Sequence, residues 1–250
     1  MRLLAALAAA ALAAGRTGSH VGNPTAQLSL ALTGYDAAEP GALTLSSGVE
    51  VSEAWVVLDR VRLRTADECG KHDETTDVPA PLAAELVASR MLPALPELEA
   101  LATSYCRVEL RFHDLDADGL PGAPADLPGR SILVRGVRAD GVAFEIAADV
   151  RDAFRLDAED MPFQIATGDG GLLVAFAMDE WLDATALEAA EVGTRDGEPF
   201  VTIDEASNGP LYAAFRDAVR ESARLFRDQD SDGHLDASEK EHVLGIGVPE

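Results

Sequence analysis

Short apolar runs separated by turn residues mark this chain as mainly β, and one amphipathic stretch near the carboxyl end adds a helix. Together they point to an antiparallel β-sandwich with a C-terminal helix leading into an acidic loop. The length of 250 residues permits one large domain or two small ones, and 47% hydrophobic residues suffice for a packed core.

Residues 27–32 place Leu28, Leu30 and Leu32 on one face. Residues 54–64 set Trp55, Val57, Leu58, Val61 and Leu63 against Asp59, Arg60, Arg62 and Arg64. In 106–112, Val108, Leu110 and Phe112 alternate with Arg107, Glu109 and Arg111, the pattern of a half-buried strand. Asp140 and Gly141 separate the apolar runs 131–137 and 142–147, a dipeptide suited to a tight hairpin turn. Residues 171–178 are continuously apolar and suit a central strand. Helices are expected over 181–192, stopping at Gly193, and over 211–226. In the second, Leu211, Phe215, Ala218, Ser222 and Phe226 recur at helical spacing after Ser207, Asn208 and Pro210. Within 80–103, Ala and Leu favour helix while Pro93 and Pro96 interrupt it, so both states stay open.

Acidic residues outnumber basic ones 44 to 20, for a formal charge of -24. Such a chain repels phosphate backbones and anionic membranes, which argues against a nucleic-acid partner. Met1 and Arg2, then apolar residues to 14 and small residues at 13–15, have the form of a secretory signal. The organisation read from this is a leader at 1–15, a linker at 16–25, the sandwich at 26–205 and a metal-binding segment at 206–250. The leader is too short to span a bilayer, so a periplasmic, cell-surface or secreted protein is expected. Cys69 and Cys106 are the two cysteines. In an oxidising compartment they are expected to form a disulfide, with two buried thiols as the alternative.

The densest chemistry lies in 228–239. Asp228, Asp230 and Asp232 alternate, followed by Gly233, His234, Leu235, Asp236 and, at the twelfth position, Glu239. A hard divalent cation takes six to eight oxygens, and a tight loop aims alternate residues at one point. The three aspartates supply side-chain oxygens, His234 its carbonyl, Asp236 a direct or water-mediated contact, and Glu239 two oxygens. Gly233 takes the sharp turn. In this spacing the loop resembles the EF-hand family, which implies Ca2+ as the ion. Arg227 departs from the family, which usually has an apolar residue there, and the exiting helix has only 241–244 before Gly245. A stunted exit suits structural binding rather than signalling. Loops of this family usually pair, so a homodimer through the unpaired loop is a candidate assembly.

Asp114, Asp116 and Asp118 with Gly119 repeat the first half of that pattern, but Gly122 and Ala125 stand at its ninth and twelfth positions. A weak second calcium site and an ordinary acidic turn are the two readings. His72, Asp73, Glu74 and Asp77 gather near Cys69 in no zinc framework. Residues 55–59, the cysteine pair and 171–176 resemble a family of bacterial secreted or lipoprotein β-sandwich domains over about 25 to 205. That resemblance implies architecture and brings no chemistry. Residues 18–24 resemble the mature start of bacterial lipoproteins, although no Cys precedes them to carry a lipid.

The sequence contains no nucleophile elbow, no His-Glu-x-x-His, no phosphate-cradling loop and no dinucleotide fingerprint. Asp179 and Glu180 beside Trp181 could serve a glycosidase, or simply cap a helix. The expected function is calcium-ion binding by an exported, non-enzymatic protein, the ion ordering the C-terminal helix-loop segment. A calcium-stabilised hydrolase and an adhesion module with a protein or glycan partner are the alternatives.

Overall fold

A computed structural model of the chain describes residues 24–34, 43–66, 69, 75–78, 80–159 and 161–249. The leader, most of the linker, and His72, Asp73 and Glu74 lie outside them. Within these residues the chain is mainly β, as expected.

β1 (Thr25–Gly34) turns Leu28, Leu30 and Leu32 inward, and β2 (Leu43–Thr44) leads by a tight turn into the long β3 (Glu50–Thr65). From Ala54 to Leu58, β3 is buried on both faces. Ala54, Val56 and Leu58 enter the main core, while Trp55 and Val57 enter a second cluster on the other side. After β4 (Thr75–Asp77), the ambiguous segment is β5 (Leu82–Glu85), β6 (Arg90–Leu92) and β7 (Leu98–Leu101). Pro93 ends β6, as a residue without an amide donor does to a paired strand. β8 (Ser104–Phe112) shows the expected alternation, and β9 (Ile132–Val137) and β10 (Ala143–Ala148) form the expected hairpin, with Gly141 at φ +87°. β11 (Ala153–Ala158), β12 (Phe163–Gln164) and β13 (Gly171–Phe176) follow, and every residue of β13 is buried.

The helix expected over 181–192 is instead two short ones, α1 (Met178–Trp181) and α2 (Ala184–Glu188). Leu182 leaves the helical region at ψ 72°, and Gly193 opens β14 (Gly193–Arg195) instead of capping a helix. Beyond β15 (Glu198–Ile203), α3 (Gly209–Glu221) begins after the left-handed Asn208 with Pro210 in its first turn. It buries Tyr212, Phe215 and Val219, and Phe215 meets Trp181 edge-on at 5.7 Å. The helix stops at Glu221, short of Phe226, because residues beyond it form β16 (Ala223–Asp228). Pairing of that backbone with strands on both sides overrides the helical periodicity of its side chains. A 3-10 turn at Glu239–Glu241 and β17 (Val243–Pro249) complete the described chain. The acidic loop is therefore entered by a strand, and a strand follows it.

The long sheet curls around the core in the order β7–β1–β13–β16–β17–β11–β8–β3–β9–β10–β15–β14. Among these neighbours, β1 with β13 and β10 with β15 are parallel. β3 joins the two halves, pairing with β9 along its first part and β8 along its second, with a register shift between Leu58 and Arg60. Such irregularities bend a strand from one layer to the next. The curl closes where the Gly34 amide at the end of β1 donates to the Leu86 carbonyl beyond β5, at 2.8 Å. Inside lie Leu32, Val56, Phe112, Phe154, Phe176 and Phe215. Residues 206–250 thus supply two inner strands of the same sheet.

Cys69 and Cys106 form a disulfide with Cα atoms 6.2 Å apart, consistent with an oxidising, exported location. Among the described residues no helix is long and apolar enough to cross a membrane.

Candidate metal centre

The burial of β13 explains where the acidic loop sits. Leu172, Val174 and Phe176 face the main core, whereas Leu173 and Ala175 face outward and need cover. Leu235 of the loop supplies it, packing with Leu173, Ala175 and Phe226. The apolar partners of Leu235 are therefore in its own sheet.

β16 carries Asp228 to the base of the loop, fully buried. Its Oδ2 accepts the Gly233 amide at 3.1 Å, while Oδ1 is buried with no hydrogen-bond partner. Burial pushes this carboxyl above the usual range; the Gly233 amide and, less strongly, that of Ser231 oppose the shift, and the charges of Glu239 and Asp232 reinforce it. Asp230 and Asp232 bring oxygens to the same place. One ligand oxygen from each of Asp228, Asp230 and Asp232 lies within 4.8 Å of the other two.

The backbone sets this convergence. Ser231 at φ 62° and Gly233 at φ 76° are left-handed, and a Cβ on Gly233 would stand 3.3 Å from that of Ala31. Asp230 accepts the Asp232 amide at 3.3 Å and Asp232 the His234 amide at 2.7 Å, so the backbone two residues on orients each carboxylate. Glu239 closes the loop from its far end. It is buried, with Oε1 accepting the Gln229 amide at 2.7 Å and Oε2 the Asp236 amide at 3.2 Å. Asp236 accepts the Ser238 amide, the Ser238 hydroxyl and the Glu239 amide at 2.7, 2.8 and 2.9 Å. The Glu239 amide first, then the Ser238 hydroxyl, holds Asp236 below the usual carboxylate range. The His234 ring is used elsewhere, its Nδ1 lying 3.3 Å from the Ser89 hydroxyl.

Two supports were not evident from the loop sequence. Arg227 reaches back to Asp169 at 2.5 Å and to the Gln164 carbonyl, so its charge anchors the loop to the turn before β13. Gly170 in that turn lies against the loop backbone, where a Cβ would stand 2.6 Å from the Asp228 carbonyl oxygen and 2.8 Å from that of Gln229. The glycines at 168, 170 and 171 ahead of an apolar run are the sequence signal for such a close approach.

Among the described residues, Asp228, Asp230 and Asp232 are the one group of three gathered ligands. Asp114, Asp116 and Asp118 are not brought together in this way. Asp114 lies 2.7 Å from His113 Nδ1 and 3.0 Å from Arg151 Nε. Burial alone would raise its carboxyl, but the His113 hydrogen bond and the Arg151 charge leave it below the usual range. Leu115, between the first two aspartates, is buried with Leu127 against Trp55, Val57 and Leu133. The Asp-Leu alternation there covers the outer face of β3, as Leu235 covers that of β13. Asp179 and Glu180 border a hollow of about 290 Å3 with residues 44–46. Asp179 accepts the Ser46 hydroxyl at 3.1 Å, and Glu180 lies 3.6 Å from Arg224.

Three converging carboxylates, with no sulfur or ring nitrogen among them, make a hard oxygen donor set suited to a hard cation. Comparison with protein-family models, curated proteins and solved structures finds no match to this chain.

Proposed function

We propose that the protein binds one calcium ion in the 228–239 loop and acts outside the cytoplasm as a non-enzymatic, calcium-ordered β protein. The observation that carries this reading is Asp228 Oδ1, a buried carboxylate oxygen without a partner, set beside oxygens of Asp230 and Asp232. A buried carboxylate oxygen left without a partner is costly, about 1–3 kcal/mol, and a cation at that point removes the cost. Glu239 and the His234 carbonyl complete the shell in the EF-hand arrangement, with Asp236 contacting through water. The loop offers more oxygens than magnesium's strict octahedron requires, which favours calcium.

Export is part of the same proposal, supported by the form of the leader and by the disulfide. Calcium is abundant outside the cytoplasm, so a Kd on the order of 10⁻⁴ to 10⁻³ M is sufficient. A calorimetric titration tests the proposal: one ion should bind, and chelator should lower the melting temperature. Glu239→Gln should remove that sensitivity. Identical melts with calcium and with chelator would overturn the reading.

A further inference from the structure

β17 lies between β11 and β16, yet its side chains are weakly anchored for an inner strand. Val243 and Leu244 are partly covered, Ile246 is exposed, and only Gly245 among residues 243–248 is buried. By contrast, β16 buries Ala223, Leu225, Phe226 and Asp228, and β11 buries Phe154 and Leu156. What holds β17 is chiefly backbone pairing, Gly245 to Pro249 with β11 and Val243, Gly245 and Ile246 with β16. A segment with little apolar burial opens at a fraction of the cost of global unfolding. The connection from β16 to β17 is the acidic loop itself.

We propose that this loop is a latch on β17. With calcium bound, the hairpin of β16, loop and β17 stays closed; without it, β17 leaves and bares a slot between β11 and β16 that accepts the same strand from a second copy. The inference rests on the calcium reading. Asp228, Asp230, Asp232, Asp236 and Glu239 repel one another in the empty loop, which loosens the hairpin connection. The vacated slot has two unpaired strand edges, which demand a strand.

The matching occupant is β17 because of its glycines. A Cβ at Gly247 would stand 2.5 Å from the Arg220 carbonyl oxygen and 3.1 Å from that of Ala223; one at Gly245 would stand 3.0 Å from that of Asp157. A strand bearing side chains at both positions does not fit. Every copy of the chain carries one that does, and exchange of an identical element is a low-cost route to a dimer.

The test uses the full chain, a fluorescent peptide of residues 242–249, and the same peptide with Gly247→Val. In calcium at about a hundred times its Kd, the amides of 243–248 should exchange with solvent about a hundredfold more slowly than in chelator. The native peptide should bind saturably in chelator, be displaced by calcium, and bind about tenfold or more tightly than the Gly247→Val peptide. Unchanged exchange of these amides on chelation, while calorimetry still records one bound ion, would remove the latch and leave the calcium site standing. Equal binding of the two peptides would overturn the slot's selectivity. No heat on calcium addition would remove both proposals.

Discussion

The space where a Cβ would stand on Gly170 lies 2.6 Å from the carbonyl oxygen of Asp228, so the turn before β13 and the start of the acidic loop pack backbone to backbone. Gly170→Ala forces the two apart by pressing on backbone oxygens of Asp228 and Gln229 while leaving every carboxylate in place. The expected result is a loss of about 1–3 kcal/mol in stability together with weaker calcium binding. Urea denaturation and calorimetry of the variant check this, and an unchanged affinity would separate the turn from the site.

Asp228→Asn should change sign with calcium. In chelator it removes a buried negative charge beside Glu239 and Asp232, and the variant should be more stable than the native chain by about 1 kcal/mol. In calcium at about a hundred times the Kd, the native chain gains about 2.7 kcal/mol, and the variant should forgo that gain. Paired melts with and without calcium make the comparison. A variant less stable in both would assign Asp228 a structural role alone.

Glu145 on β10 is the pH-sensitive post of the opposite half. It accepts from Arg135 at 2.8 Å and from Arg195 at 3.2 Å. Burial alone would raise its carboxyl, but hydrogen bonds and charges from Arg195 and Arg135 hold it below the usual range. A depressed folded value means that stability is present above the unfolded pKa and is lost as pH falls through the folded one. Glu145→Gln should therefore cost about 2 kcal/mol at neutral pH, with the difference fading below about pH 4. Denaturation midpoints of the two chains across that range measure it.

Reduction of the bond between Cys69 and Cys106, 37 residues apart, frees a long loop in the unfolded chain. The expected loss is about 4 kcal/mol on the chain-entropy account. Urea melts with and without reductant report it, and the Cys69→Ser, Cys106→Ser double variant should match the reduced chain.

Much of the fold was legible because burial on one face leaves a period of two, as Val108, Leu110 and Phe112 show. The run at 171–176 was legible as a central strand, although not the reason for its second apolar face, since Leu235 covers it from 60 residues away in sequence. β16 was misread as helix because Ser222 and Phe226 fit a helical period, and one of its two strand neighbours, β13, is remote in sequence. The gathering of Asp228, Asp230 and Asp232 was legible through spacing alone, since the three fall at alternate positions of one loop. Gly170 was not, because its partner is a backbone oxygen nearly sixty positions on. The Asp114 loop carries the same local signal as the first half of the metal loop. Gly122 and Ala125 at its ninth and twelfth positions set it apart in sequence, and in three dimensions Asp114 is held by His113 and Arg151.

Because β3 runs through both halves of the sheet, neither half owns a complete set of strands, and the two are expected to melt together. Single-tryptophan variants keeping either Trp55 or Trp181 should then lose their native fluorescence at one shared urea concentration. Damage to β3 would therefore be felt in both halves at once, through its pairing with β8 and with β9.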